Sequence, residues 1–192
     1  MDLSAEQLEK PLPKPRGDPT GYASARSLEA LLEALIALGF LEQGYTRNAA
    51  GKAFQAWRAL IGALVMLERE KIAQGLGEKE KRWLSERAIP RIPTTRLRQL
   101  AQLLEKATRR RGLVAYTAIA LDLHDYQHHG PDPDLELSKY RDRLEAVYDI
   151  EALLRELLRT TKQYLKPQLE KRGKWTRSHE DALQRLEEKL GE

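Results

Sequence analysis

LEALLEALIALGFLEQGYTRNAAGKAFQAWRALIGALV, residues 28–65, is the stretch whose pattern decides the fold. Leu28, Leu31, Leu32, Leu35, Ile36 and Leu38 recur at steps of three and four, which places them on one face of an α-helix. After the break Gly44-Tyr45-Thr46 the same spacing returns in Ala50, Ala53, Phe54, Trp57, Leu60, Ile61, Leu64 and Val65. Gly44 is positioned to end the first helix in a left-handed cap. So short a turn forces the two helices to lie antiparallel, and Ala49, Ala50, Gly51, Ala53 and Gly62 allow their backbones to approach closely. The stretch predicts a helical hairpin with Leu35, Phe54 and Trp57 in the core between its arms.

Toward the N-terminus, Asp18-Pro19 starts the first helix, because the carboxylate caps free N–H groups and proline fits a first turn that needs no N–H. That helix should run to about Gln43. Residues 1–17 form an arm, a short polar helix followed by Pro11-Leu12-Pro13-Lys14-Pro15, whose prolines favour an extended strap lying on its own domain. Toward the C-terminus the second helix should reach about Gln74, and a short one should span Glu78 to Ala88, stopping before Pro90 and Pro93. Thr94 or Thr95 should cap a segment bearing Leu97, Leu100, Ala101 and Leu104. Residues 113–128 are apolar almost all round, which predicts a central helix. After Gly130-Pro131-Asp132-Pro133-Asp134, a long helix is expected from Leu135 or Ser138 to Leu165, ahead of Pro167. Ser178-His179-Glu180-Asp181 resembles a capping box for a last helix carrying Leu183, Leu186 and Leu190. No segment alternates as a strand does. The expected fold is all-α, an antiparallel bundle of about five or six helices in a single domain, 18–192.

Hydrophobic residues make up 41% of the chain and charged residues 32%, a globular rather than a disordered composition. The absence of cysteine excludes disulfides, thiolate chemistry and cysteine metal sites. MDLSAEQLEK is not a secretory signal and no apolar run is long enough to span a membrane, so the expected setting is the cytoplasm. Asn occurs once and Met twice, while Leu, Glu, Arg and Lys dominate, a bias that points to a thermophilic source.

Polar residues concentrate in Asp122, His124, Asp125, His128, His129, Asp132 and Asp134. His124 and His128 stand one helical turn apart, as do Asp125 and His129, a spacing that suits metal ligands or acid–base chemistry. The competing explanation is preferred: His128 and His129 meet the carbonyls at a helix C-terminus, the aspartates cap the next helix, and His124 is a hydrogen-bonded core residue. No metal and no cofactor are expected.

Charge is segregated along the chain. Residues 69–111 hold thirteen Lys or Arg against five Glu, whereas residues 122–151 hold nine acidic residues against three basic ones. Lys79, Arg82, Trp83 and the run Arg109-Arg110-Arg111 are candidate nucleic-acid contacts, with Trp83 as a stacking surface. With a net charge of only +4, nucleic acid is not the favoured partner. The opposite charges would equally steer self-association or the docking of a protein partner.

The stretch from Ala37 to Trp57, ALGFLEQGYTRNAAGKAFQAW, resembles the signature hairpin of the archaeal PaREP family of helical proteins. Leu123-His124-Asp125-Tyr126, with the Gly-Pro turn and the helix through Val147 and Leu154, is similar to that family's second half, so the resemblance spans roughly residues 20–160. More distantly it looks like the HEPN group of helical bundles, which implies nucleotide binding or ribonuclease activity. Ribonuclease members of that group carry an arginine, a polar residue and then a histidine. Here Arg172 and His179 have six residues between them, but Gly173 follows the arginine and the pair spans a predicted turn outside the region of resemblance. The expectation is therefore a non-catalytic binding or adaptor module, homo-oligomeric, without membrane attachment. The alternative is an RNA- or nucleotide-binding HEPN-like protein or ribonuclease, and a metal-dependent enzyme centred on His124 and His128 ranks third.

Overall fold

The computed structural model describes residues 3–191. Met1, Asp2 and Glu192, at the start of the arm and the end of the bundle domain, lie outside the described residues. Helix α1 (Leu3–Leu8) leads into the proline-rich segment and packs on α2 (Pro19–Glu42). Asp18 caps α2 as expected, its Oδ1 accepting from the Gly21 N–H at 2.8 Å. At the other end Gly44 adopts φ +80°, the Gly44 N–H reaches the Leu41 carbonyl, and the Tyr45 N–H reaches the Phe40 carbonyl. That pair of bonds is a Schellman motif, and the Phe40 and Tyr45 rings meet edge-on at 6.4 Å to seal it. Helix α3 (Thr46–Leu67) then returns antiparallel to α2.

Small residues make the α2–α3 interface. Ala23, Ser27, Ala30, Ala34 and Ala37 of α2 are fully buried, as are Ala49, Ala50, Ala53, Ala56, Phe54 and Trp57 of α3. Leu35 and Ile36 differ from expectation: they are half-buried at the side of α2, in a groove against the last helix. With alanines facing each other the backbones come close, and the bulky leucines are left to wrap the flanks.

The central helix is α3, not residues 113–128. It contacts α2, α7 (Leu97–Thr108), α8 (Leu113–His129) and α9 (Arg143–Thr160). α8 runs antiparallel to it, pinned where the Trp57 indole N–H donates to Thr117 Oγ1 at 2.9 Å and where Thr46 and Tyr126 share a hydrogen bond of 2.9 Å. Only one flank of α8 is buried, and Ala115 is exposed. α9 runs parallel to α3. The last helix, α11 (Arg177–Leu190), packs on α2 and α9.

Several boundaries depart from the sequence pattern. α3 ends at Leu67, and α4 (Arg69–Gln74) follows a bend at Glu68, whose buried carboxylate accepts from Lys71, Tyr164 and Gln168. α5 (Glu78–Trp83) passes through a π turn, Leu84–Ala88, into α6 (Ile89–Arg91) and so continues across Pro90. The same device, Thr161–Leu165, carries α9 across Pro167 into α10 (Lys166–Glu170). A widened turn relieves the clash between a proline ring and the carbonyl four residues back. Neither Thr94 nor Thr95 caps α7, which grows out of a single 3₁₀ turn, Thr94–Arg96. α9 starts at Asp142, whose Oδ1 accepts from the Leu144 and Glu145 N–H groups, so Leu135 to Arg141 are loop. Thr176, not Ser178, caps α11. Among the described residues there is no strand, and no helix is long and apolar enough to cross a membrane.

Candidate functional site

The histidine cluster lies at the C-terminal end of α8. His124 stacks on Phe54 with centroids 4.2 Å apart and meets His128 edge-on at 5.0 Å. Burial, then the neighbouring His128, hold its pKa below the usual histidine value, against Asp125 and a side-chain hydrogen bond with Gln127, which raise it. His128, His129 and Asp125 are exposed. Among the described residues no group of three or more His, Cys, Asp or Glu side chains is arranged to hold a metal ion. The carbonyls at this helix end are met by an arginine rather than by histidines: Arg47 donates from Nε to the Gln127 carbonyl at 3.1 Å and from its terminal nitrogen to that of His128 at 2.6 Å. Of the aspartates, Asp132 orders the following loop, its Oδ2 accepting from the Leu137 and Ser138 N–H groups, which hold its pKa below the usual range. The fourth histidine, His179, is buried between Thr176 and the Ser24 carbonyl, 2.9 Å from Nε2. Arg172 turns back onto the Gln168 carbonyl, away from it.

The basic candidates separate into two groups. Trp83 is half-buried with the Arg96 guanidinium over its ring at 4.8 Å, near Lys79 and Arg82 at the start of α7. Arg109, Arg110 and Arg111 sit at the far end of α7, a helix of about 18 Å. Arg110 points inward, donating to Thr160 Oγ1 at 2.9 Å and lying over the Tyr164 ring at 4.6 Å. Trp83 and Arg110 are thus engaged within the chain.

A polar groove that the sequence pattern did not single out runs along α3, between α2 and α8. A cavity of about 530 Å³ is lined by Phe40, Arg47, Asn48, Gly51, Lys52, Gln55 and Gln127. Gly51 makes room for it: a Cβ there would stand 2.6 Å from the Gln127 side chain, which lies across α3 at this point. Arg58 continues the stripe one turn beyond Gln55. Around it, Arg26 is bound by Glu29 at 2.7 Å and Lys52 by Glu33 at 2.9 Å, whereas Arg58 is half-buried and has no hydrogen bond or ion pair among the described residues. Burial, then the positive charge of Arg26, pull its pKa below the usual arginine value, against Glu29, Tyr22 and Glu33, which raise it. The buried Gln127 side chain lies against His124.

A second unusual surface surrounds the start of α9. Leu135 is 45% exposed, Leu137 65%, Leu144 70% and Tyr148 75%, beside the acidic Glu145 and Glu151. Further along the same face come Arg155, Arg159 and Lys162. Helical spacing groups Leu144 with the buried leucines of α9, but exposure depends on which face the neighbouring helices leave open.

A model of the archaeal PaREP1/PaREP8 family matches residues 25–151, from the second turn of α2 to the middle of α9. The chain belongs to that family. No curated protein and no solved structure matches it. The family span takes in the hairpin, the α3 groove with Arg58 and Gln127, the His124 cluster, and the exposed stretch from Leu135 to Tyr148. The arm and α11 fall outside it.

Proposed function

We propose that this chain is a non-catalytic binding module that self-associates through the open face of α9. The observation that carries the reading is the concentration of exposed large apolar side chains, Leu135, Leu137, Leu144 and Tyr148, in one short stretch. A concentration of large exposed apolar side chains among charged ones supports an association site. The occupant is a second copy of the chain, because the face carries its own complement. Its N-terminal half is apolar and acidic, and its C-terminal half bears Arg155, Arg159 and Lys162, exposed side chains that also engage the Leu190 carbonyl, Glu156 and Glu187 of their own chain. Two such helices laid antiparallel across a two-fold axis bring each half against its opposite, the self-complementary arrangement of an isologous dimer. The engagement of His179, Trp83 and Arg110 within the chain weighs against a ribonuclease centre or a continuous nucleic-acid stripe. A thermophilic, cytoplasmic setting fits the composition and belongs to the same reading.

Sedimentation velocity tests it. The parent protein should form a dimer as concentration rises through the micromolar range, and a Leu144→Glu, Tyr148→Glu double variant should remain monomeric with an unchanged circular-dichroism spectrum. A parent that stays monomeric at high micromolar concentration overturns the proposal.

A further inference from the structure

The chain from Glu78 to Arg91 is one continuous helix with a π turn at its middle, and its charge pattern stands independently of the α9 face. Leu84, Ala88 and Ile89 bury its inner side. On the outer side Lys79, Trp83, Arg87 and Arg91 follow one another at steps of four. In a regular α-helix such a row drifts by about 40° at each step, about 120° over its length. The π turn absorbs one residue, removes most of that drift, and keeps Arg87 and Arg91 in line with Lys79 and Trp83. Lys79, Arg87 and Arg91 are exposed, as is Arg82 beside them, and none of the four makes a side-chain hydrogen bond or ion pair among the described residues. The three glutamates of the same helix are committed elsewhere: Glu78 to Lys81 at 2.7 Å, Glu80 to the Gly77 N–H at 3.1 Å, and Glu86 to Arg16 of the arm at 3.3 Å. Trp83 is closed to base stacking by the Arg96 guanidinium over its ring at 4.8 Å, but it holds that fifth cation beside the row.

Like charges held one helical turn apart, as at Arg87 and Arg91, repel one another, and no carboxylate of this helix offsets them. A linear polyanion does. The row is about 18 Å long, a length over which one strand of a duplex carries about five phosphates. Guanidinium forks match phosphate oxygens, and a straight row of evenly stepped cations matches a chain of evenly stepped charges better than the scattered carboxylates of a folded protein. We propose that the outer face of residues 78–91 docks the phosphodiester backbone of a nucleic acid through Lys79, Arg82, Arg87 and Arg91, with Arg96 at its side. Contacts of this kind position a strand without reading its sequence. Arg109 to Arg111 take no part, since they stand at the far end of α7 and Arg110 is turned inward.

Fluorescence anisotropy on the full chain tests the proposal with two labelled probes of mixed sequence, a single-stranded RNA of about twenty nucleotides and a DNA duplex of about twenty base pairs, at about 50 and about 200 mM salt. At least one probe should bind with a micromolar Kd at the lower salt, and log affinity should fall against log salt with a slope of about −3 or steeper. Arg87→Gln with Arg91→Gln should weaken binding about ten-fold or more and make the slope shallower by about two. Both side chains are exposed and hold no internal partner, so the double variant should melt with the parent. Lys171→Gln with Arg185→Gln removes the same charge from exposed positions in the C-terminal part of the chain and should leave the slope unchanged. Either probe binding in this manner supports the row, and the tighter of the two names the form of nucleic acid. Binding of neither probe, an unchanged slope in the Arg87→Gln, Arg91→Gln variant, or an equal loss in the Lys171→Gln, Arg185→Gln variant would overturn the proposal. Loss of the dimer rather than of nucleic-acid binding in the Arg87→Gln, Arg91→Gln variant would overturn it as well, by assigning the row to the acidic stretch of a second copy.

Discussion

α3 and α9 run parallel through one bundle and present opposite surfaces to water. α3 is surrounded by α2, α7, α8 and α9, buries alanines and aromatics, and opens only along a polar stripe through Asn48, Lys52, Gln55 and Arg58. α9 buries Ile150, Leu153, Leu154, Leu157 and Leu158 on one side and exposes Leu144 and Tyr148 on the other. A helix enclosed by its neighbours places polar groups at its one opening, whereas a helix at the edge with leucine to spare has more apolar surface than its own domain covers. The difference leaves α3 a narrow polar opening and α9 an uncovered apolar face.

The largest effect should come from the enclosed helix. Trp57 is completely buried and holds Thr117 of α8, so Trp57→Ala should cost about 3–5 kcal/mol in chemical denaturation. An unchanged denaturation midpoint would show that α3 is not the centre of the bundle.

A smaller loss is expected where the two helices are tied at one end. Glu68 is buried, and although burial alone would raise its pKa, hydrogen bonds from Lys71, Gln168 and Tyr164 hold it below the usual glutamate value. Glu68→Gln should cost about 1–3 kcal/mol at neutral pH. With the folded pKa depressed, the carboxylate's contribution is present above the unfolded value of about 4.5 and is lost as pH falls through the folded pKa. Urea titrations across the acid range should therefore show parent and variant converging as the pH drops. Parallel curves would mean that the charge of Glu68 contributes nothing.

The smallest effect belongs to the open face. Tyr148→Ala should leave the stability of the monomer within about 0.5 kcal/mol of the parent, measured at concentrations below dimer formation. A loss approaching that of Trp57→Ala would place Tyr148 inside the domain and erase the contrast between the helices.

Much of the fold was legible because its signals are local. Asp18-Pro19, Gly44 and the three-and-four spacing of Phe54, Trp57, Ile61 and Leu64 each determine a turn or a face without reference to distant residues. The family resemblance also rested on the hairpin, and the family match includes it. What escaped depends on neighbours far away in sequence. Leu35 has the spacing of a core residue, yet the alanines of α2 face α3 and Leu35 faces α11. Residues 113–128 look enclosed, but α8 is covered on one flank only. At the site, the cluster of histidines and aspartates stood out by composition. The polar cavity on α3 did not, because Gly51, Gln55 and Gln127 meet only once α8 lies across α3.

The two π turns bear on how this chain tolerates changes in length. The Ile89 N–H reaches back to the Leu84 carbonyl and the Lys166 N–H to the Thr161 carbonyl, each ring one residue longer than an ordinary α-helical one. Each therefore holds a supernumerary residue, and the helix downstream is rotated by about 100° relative to an unbroken α-helix. That offset lets Gln168 and Tyr164 face Glu68 across the bundle. Removing a single residue between Thr161 and Leu165 would restore regular winding and leave α10 facing the end of α3, whereas winding all five residues as regular α-helix would swing α10 by nearly a third of a turn and disengage it. A lineage that had lost that one codon would keep both ends of the bundle closed and lose only the widened turn that accommodates Pro167.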